Sequence, residues 1–214
     1  MHRFFGNDIT ISWDRIADLA HYYIIDHAIL RILWTNFDKV DNGVFRSNQP
    51  TRWRWMLYQK LGIRAVLNLR GQADTPAYHF EKETLDDLGI PMTNARIFAR
   101  KTPHKEELLN LINCLKSMPT PFLMHCKSGA DRAGLASVLY LHIVKGEPLE
   151  IARQHLSWRY LHFSFTKTGI VDHLLDVYEQ DTQDNPMSFE DWVKTHYDRD
   201  ALQAGFAEQN RWPF

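Results

Sequence analysis

Thiols are scarce: Cys114 and Cys126 are the two cysteines in 214 residues, too few for a disulfide framework, and a reducing compartment is expected. Charge of one sign is lacking as well. The 25 Lys and Arg against 26 Asp and Glu leave a formal charge of -1 with no long basic block, which excludes a protein built to coat nucleic acid. The eleven histidines contain no H-E-x-x-H and no paired Cys/His spacing, so neither a metal ion nor another cofactor is expected. Met1 to Tyr23 lacks the uninterrupted apolar core and small-residue cleavage site of a secretory leader, and a cytoplasmic location is expected.

What is present can fold. With 44% hydrophobic residues the chain can bury a full core. From Trp13 to Trp34, Ile16, Leu19, Tyr23, Ile24 and Leu30 recur at helical spacing, while Asp14, Arg15, Asp18, Asp26 and Arg31 interrupt any membrane-spanning run. One or two amphipathic helices are expected there, packed on the domain, with contact at a membrane surface as the alternative. Asn42-Gly43 between Val40 and Val44 predicts a tight hairpin. After Pro50, Thr51 caps a short helix that carries Trp53 and Leu57 inward and ends at Gly62. "IRAVLNLR" reads as a buried strand, Tyr78 to Leu88 as a helix stopped by Gly89, and "IPMTNARIF" as a weaker strand. Thr102-Pro103 opens a helix with Leu108, Leu111, Ile112 and Leu115 on one face. The apolar run "PFLMH" predicts a central strand buried on both faces, and a helix follows it up to Gly146. Strands alternating with helices give an α/β fold whose central sheet is mostly parallel and flanked by helices. Ligands of such sheets bind at the carboxyl ends of strands, where Cys126 falls.

The stretch "HCKSGADRAG", His125 to Gly134, carries the chemistry. A cysteine, five residues and an arginine can wrap into a concave turn whose N–H groups point inward, because Gly129 permits a backbone conformation that a side chain resists. Such a nest binds a tetrahedral oxyanion. The following helix aims its positive end at the same point and favours the thiolate of Cys126 as a nucleophile. Arg132 adds a planar fork of donors for two phosphoryl oxygens, and Gly134 lets the helix pack closely. Cys114, beside Leu111 and Leu115, reads as packing.

His125-Cys126-Lys127-Ser128-Gly129-Ala130-Asp131-Arg132-Ala133-Gly134 resembles the H-C-x5-R-[ST]-G phosphate loop of cysteine-dependent protein tyrosine phosphatases, in the dual-specificity branch. "GVFRSNQP", "LGIRAVLNLRG" and the helix before Pro121 are similar to segments of its compact bacterial members, so the likeness runs from about Asp38 to Val144. The resemblance implies that Cys126 is the nucleophile, Arg132 the phosphate clamp and His125 a neighbour that helps keep the thiolate. Lys127, Ser128, Gly129, Ala130, Ala133 and Gly134 complete the substrate-binding loop. The division expected is a helical appendage over 1–36, a phosphatase domain over 37–180 and a helical extension over 181–214 packed on it.

Two departures from the family pattern matter. Ala133 stands where the family carries a hydroxyl that helps the thiolate leave the phosphoenzyme, so the second step is expected to be slower. The family's upstream general-acid aspartate is missing from "NARIFARKTPH". Asp131 is the first candidate for that role, as in myotubularin-like phosphatases, and a helix-start carboxylate is its alternative. Asp74 and His104 follow, each with a plain loop or helix-start reading. Lys127 is shared with tensin-like lipid phosphatases, but Ala130 and Asp131 replace their second lysine, which disfavours a polyphosphorylated headgroup.

Trp158, Tyr160, Phe163 and Phe165 are read as core, with the lining of a substrate groove as the alternative, "YEQDTQDNP" as an exposed loop and Phe189 to His196 as the final helix. The function expected is metal-independent phosphomonoester hydrolysis through a cysteinyl-phosphate, on phosphotyrosine-type proteins. The alternatives are a lipid or sugar phosphate substrate, a phosphate-binding pseudophosphatase, and a rhodanese-type sulfurtransferase. The oligomeric state is left open.

Overall fold

The computed structural model describes residues 34–209 and Ala20; the amphipathic helices expected before Trp34 lie outside the described residues. The Asn-Gly turn forms as expected. Gly43 sits at φ 77° between β1 (Asp38–Asp41) and β2 (Val44–Asn48), which pair antiparallel. Three parallel strands complete the sheet: β3 (Ala65–Asn68), β4 (Met92–Asn94) and β5 (Phe122–Cys126). Their order is β1-β2-β5-β3-β4, so the apolar run expected at the centre occupies the centre.

Side-chain alternation along β5 divides the core. Phe122, Met124 and Cys126 face the larger cluster, built with α3 (Lys105–Ser117), α4 (Asp131–Leu139) and α6 (Ile170–Thr182). Leu123 faces the smaller cluster, with Trp55 and Tyr58 of α1 (Arg52–Lys60), Val66 of β3 and Leu85 of α2 (Pro76–Leu88). Both faces are therefore covered, as a parallel sheet requires. Leu108, Leu111, Ile112 and Leu115 of α3 are buried together, and Gly89 at φ 65° closes α2. Helix α4 continues as a π-helical turn over Tyr140–Val144, and α5 (Leu149–Ala152) leads into short 3-10 turns that return the chain to the cradle. The larger cluster also takes in Phe189, Trp192 and Val193 of α7 (Phe189–Thr195) and Leu202 and Phe206 of α8 (Arg199–Gln209).

Four readings of the sequence need correction. Helix α1 turns Arg54, Trp55 and Tyr58 inward, while Trp53 and Leu57 are exposed, because Arg54 donates to Asn48 Oδ1 at 3.3 Å and fixes the rotation of the helix. Tyr178 to Thr182 of the acidic stretch belong to α6, whose Tyr178 is buried against Phe189 and Trp192. Helix α7 is followed by α8, so it is not the last helix. Of the four aromatics read as core only Tyr160 is buried; Trp158 is 80% exposed, and Phe163 and Phe165 are exposed too, since they sit in turns that no helix covers.

The rotation of α1 is testable by denaturant unfolding. Trp55→Ala is expected to cost about 3–5 kcal/mol and Trp53→Ala within about 0.5 kcal/mol.

Candidate active site

Strand β5 ends at Cys126, side by side with Asn48 of β2, and His125 is in register with Asn68 of β3. Beyond Cys126 the chain makes one tight turn and enters α4 at Asp131. The turn is legible in its carbonyl oxygens. His125 O accepts from Leu69 N at 2.9 Å, Lys127 O from Gln49 N at 3.4 Å and Ser128 O from Asn36 Nδ2 at 2.9 Å. Gly129 O and Ala130 O accept from Arg46 Nη2 at 2.5 and 3.1 Å. Five carbonyls of the turn are thus taken by donors from outside it, and Ala130 N–H donates to Ser128 Oγ at 3.3 Å within it. Gly129 N–H donates to Cys126 Sγ at 3.2 Å, and Cys126 is only 1% exposed. Gly129 adopts φ 74°, and a Cβ there would come within 2.5 Å of Asn48 N. The close packing expected at Gly134 is also present: a Cβ there would meet Leu156 Cδ2 at 2.6 Å.

Arg46 escapes a reading of the sequence. Its guanidinium is fully buried, donates also to His155 O at 2.6 Å and lies 3.8 Å over the Tyr160 ring. Burial lowers its pKa to about 10, against the support of charge at Tyr160, Cys126 and Asp38, so it stays a cation at neutral pH. The available signal is an arginine inside an otherwise buried strand, which needs partners to be tolerated.

In front of the turn lies a cleft of about 230 Å³ lined by Lys127 and Arg132 of the loop and by Gln49, Arg70, Glu81 and Arg96. Arg132 Nε is buried without a hydrogen-bond partner among the described residues. His125 is fully buried, edge-on to Trp55, with Nε2 3.1 Å from Glu81 Oε1, a close approach that is not aligned as a hydrogen bond. Glu81 Oε2 accepts from Gln49 Nε2 at 2.9 Å.

The three acid candidates are not brought together. Asp131 opens α4 and its Oδ1 meets His162 Nδ1 at 2.8 Å, while His162 Nε2 meets Asp172 Oδ2 at 2.7 Å. Burial pulls the His162 imidazole down, but the two carboxylates outweigh it and push it up to about 9. Asp74 is fully exposed and pairs with His79 at 2.7 Å; it is at the rim of the cleft, between the lining residues Ala73 and Thr75, without lining it itself. His104 precedes α3, where its N–H donates to Glu107 Oε2 at 2.8 Å. No signal in the sequence pairs His162 with Asp131, because the contact spans 31 residues across an aromatic-rich turn.

Residues 45–162, more than half of the chain, match the family model described as PTP-SAK: Swiss Army Knife protein, DSP-PTPase phosphatase domain. The chain belongs to this family. The PTP-SAK domain is thus a dual-specificity-like phosphatase domain of the cysteine-dependent tyrosine phosphatase superfamily. Its match ends on His162, beyond the Val144 limit read from the sequence. Among solved structures it is similar to P. aeruginosa TpbA, 19% identical over 81% of this chain and 91% of that one, at a TM-score of 0.53. It is also similar to Tk-PTP in its active form, 20% identical over 69% of this chain and 98% of that one, at 0.52. At these identities the likeness is one of fold. Among the described residues of the PTP-SAK domain and its flanks, no helix is long and apolar enough to cross a membrane.

Two outcomes follow for the cradle. Gly129→Ala is expected to abolish binding of tungstate by calorimetry, since its Cβ has no room and the loop must open. His162 titrates higher in the folded protein than its ordinary value of 6.5. Its contribution, on the order of 2 kcal/mol after screening, is therefore full below about pH 6.5 and lost as pH rises through about 9. Urea unfolding of wild type and His162→Ala across that range should show a difference that narrows toward the alkaline end, leaving the packing of the buried ring.

Proposed function

We propose that the PTP-SAK domain hydrolyses phosphomonoesters through a cysteinyl-phosphate on Cys126. One observation carries the reading: Cys126 Sγ accepts a loop N–H at the head of α4, and Arg132, with Nε unpartnered, opens onto the adjoining cleft. The loop amides and Arg132 hold three phosphoryl oxygens. The thiolate attacks phosphorus in line, forming the S–P bond as the P–O bond to the leaving group breaks. The departing oxygen takes up a proton, from Asp131 if that is the donor and otherwise from solvent water. Water then attacks phosphorus, the S–P bond breaks, and inorganic phosphate leaves with the thiolate restored. His125 and the amides Lys127 to Ala130 keep the nucleophile and cradle in place, and Ala133 and Gly134 pack the helix behind them.

For Asp131 two roles are open, proton donor and helix-start carboxylate. Its pairing with His162 Nδ1 at 2.8 Å supports the second, because the carboxylate is already engaged at the head of α4. Substrates whose leaving groups need little help from an acid then fit best. Phosphotyrosine is such a substrate, and a cysteine-to-serine variant of P. aeruginosa TpbA, 19% identical at a TM-score of 0.50, was solved in complex with pTyr. A small phosphate ester is the second reading, favoured by the cationic lining of the cleft.

Phosphate release from p-nitrophenyl phosphate tests the mechanism. Cys126→Ser is expected to abolish it, while vanadate protects the wild-type cysteine from alkylation. Full activity in the serine variant would sink the reading, and a binding module without turnover would show protection but no release in wild type. Arg132→Lys should lose on the order of a hundredfold despite keeping its charge, because a point charge cannot replace the bidentate fork.

Leaving groups decide the role of Asp131. Asp131→Asn is expected to slow aryl and alkyl phosphates little and alike. A selective loss of about a hundredfold on the alkyl ester would make it the proton donor.

A further inference from the structure

A second cavity, of about 320 Å³, lies among α6, α7 and α8 and shares no lining residue with the cleft before Cys126. Helical spacing builds its walls. His173, Val177 and Asp181 stand four residues apart on one stripe of α6. Trp192 and His196, again four apart, close a second side from the end of α7. Asp198, just before α8, and Leu202 and Gly205 within it supply the third. Trp192 and Leu202 are buried, so the floor is apolar, whereas Asp181 and Asp198 are exposed and make the rim acidic.

Both carboxylates are positioned by uncharged donors. Asp181 Oδ2 accepts from Trp192 Nε1 at 2.7 Å, and Asp198 Oδ1 accepts from the N–H groups of Asp200 and Ala201 at 3.0 Å each. Neither meets a cation among the described residues. His173 is the group that the fold leaves unsatisfied. It is 8% exposed, packs against the Phe206 ring at 5.8 Å and has no hydrogen-bond partner among the described residues. Its Nε2 faces Gly205, where a Cβ would lie 3.3 Å away, so the glycine keeps that side of the cavity open to the nitrogen. Burial lowers the His173 pKa from 6.5, against the pull of Asp176, and the imidazole is uncharged at neutral pH with one lone pair to offer. A buried polar group left without a partner costs free energy that a donor from a ligand would recover.

We infer that this cavity binds a small organic cation, an ammonium or guanidinium head on an apolar body, its head held by Asp181, Asp198 and His173 and its body packed on Trp192, Leu202 and Val177. An apolar floor with a few converging polar groups is the construction of a small-molecule site, and the volume reaches the roughly 300 Å³ at which such sites begin. Two unneutralised carboxylates repel an anion. A bare metal ion lacks ligands, since no group of three His, Cys, Asp or Glu among the described residues is placed to hold one. Neither Cys126 nor its cleft takes part, so the site stands or falls apart from the phosphatase reading.

Heteronuclear NMR of the full chain tests this, read at the Trp192 indole N–H, which Asp181 accepts, and at the Gly205 amide. Benzylamine is expected to shift both resonances saturably and to bind at least about tenfold more tightly than benzyl alcohol, which has the same body without the charge. Asp181→Asn should remove most of that preference. Gly205→Ala raises helix propensity while crowding His173 Nε2, and should weaken benzylamine about fivefold or more with no loss of thermal stability. Asp184→Asn deletes an exposed carboxylate beyond the end of α6 and should change nothing, and tungstate at the cradle should leave the titration as it was. No saturable shift, equal binding of amine and alcohol, an equal loss in Asp184→Asn, or competition by tungstate would overturn the inference. So would zinc that displaces benzylamine at lower concentration, which would make the cavity a metal site. A gain in affinity on Arg211→Ala would also overturn it, by making the last residues of the chain the occupant.

Discussion

A concave ring of amides exists only if the carbonyls of the same turn have somewhere else to go. Arg46 meets that constraint at the tightest point, spanning Gly129 O, Ala130 O and His155 O with one guanidinium. A buried cation of this kind costs several kcal/mol in desolvation unless its donors are taken; here carbonyls take Nη1 and Nη2 and the face of Tyr160 covers the guanidinium, while Nε has no hydrogen-bond partner among the described residues. Leu69 N, Gln49 N and Asn36 Nδ2 complete the outer ring. The cradle is thus held by β2, β3 and the segment entering β1, rather than by its own residues alone.

The same construction couples the cradle to the rest of the fold. Asn36 also donates to Tyr160 O at 2.8 Å, and Tyr160 donates its hydroxyl to Asp38 of β1. His162, two residues on, ties the first residue of α4 to Asp172 in the first turn of α6. Substitutions at these supports act on the reaction through loop geometry, without touching substrate.

Legibility in the sequence followed the range of the interaction. Asn42-Gly43, the stop at Gly89, the buried face of α3 and the run Phe122–Cys126 are local patterns, and each forms where expected. The cysteine, arginine and glycine of the loop were legible because chemistry demands them at fixed spacing. Helix α1 defeats a local reading because Trp53, Trp55, Met56, Leu57 and Tyr58 put apolar groups on every side, and a long-range constraint at Arg54 decides which face is inward. Arg46 stands 83 residues from Gly129, so no local window contains its role. The exposed Trp158 and Phe165 show the limit of reading aromatics as core when they lie in turns without a period.

The central claim is a covalent one, that phosphorus passes through Cys126. Ala133 supplies no hydroxyl to help the thiolate leave, which favours accumulation of the intermediate. Rapid acid quench during turnover of p-nitrophenyl phosphate, followed by mass spectrometry of the peptide that carries Cys126, reads it directly. Phosphate on Cys126 Sγ in wild type and none on the Cys126→Ser chain is the expected result. Steady phosphate release with Cys126 unmodified, or with the label on another residue, would contradict the account.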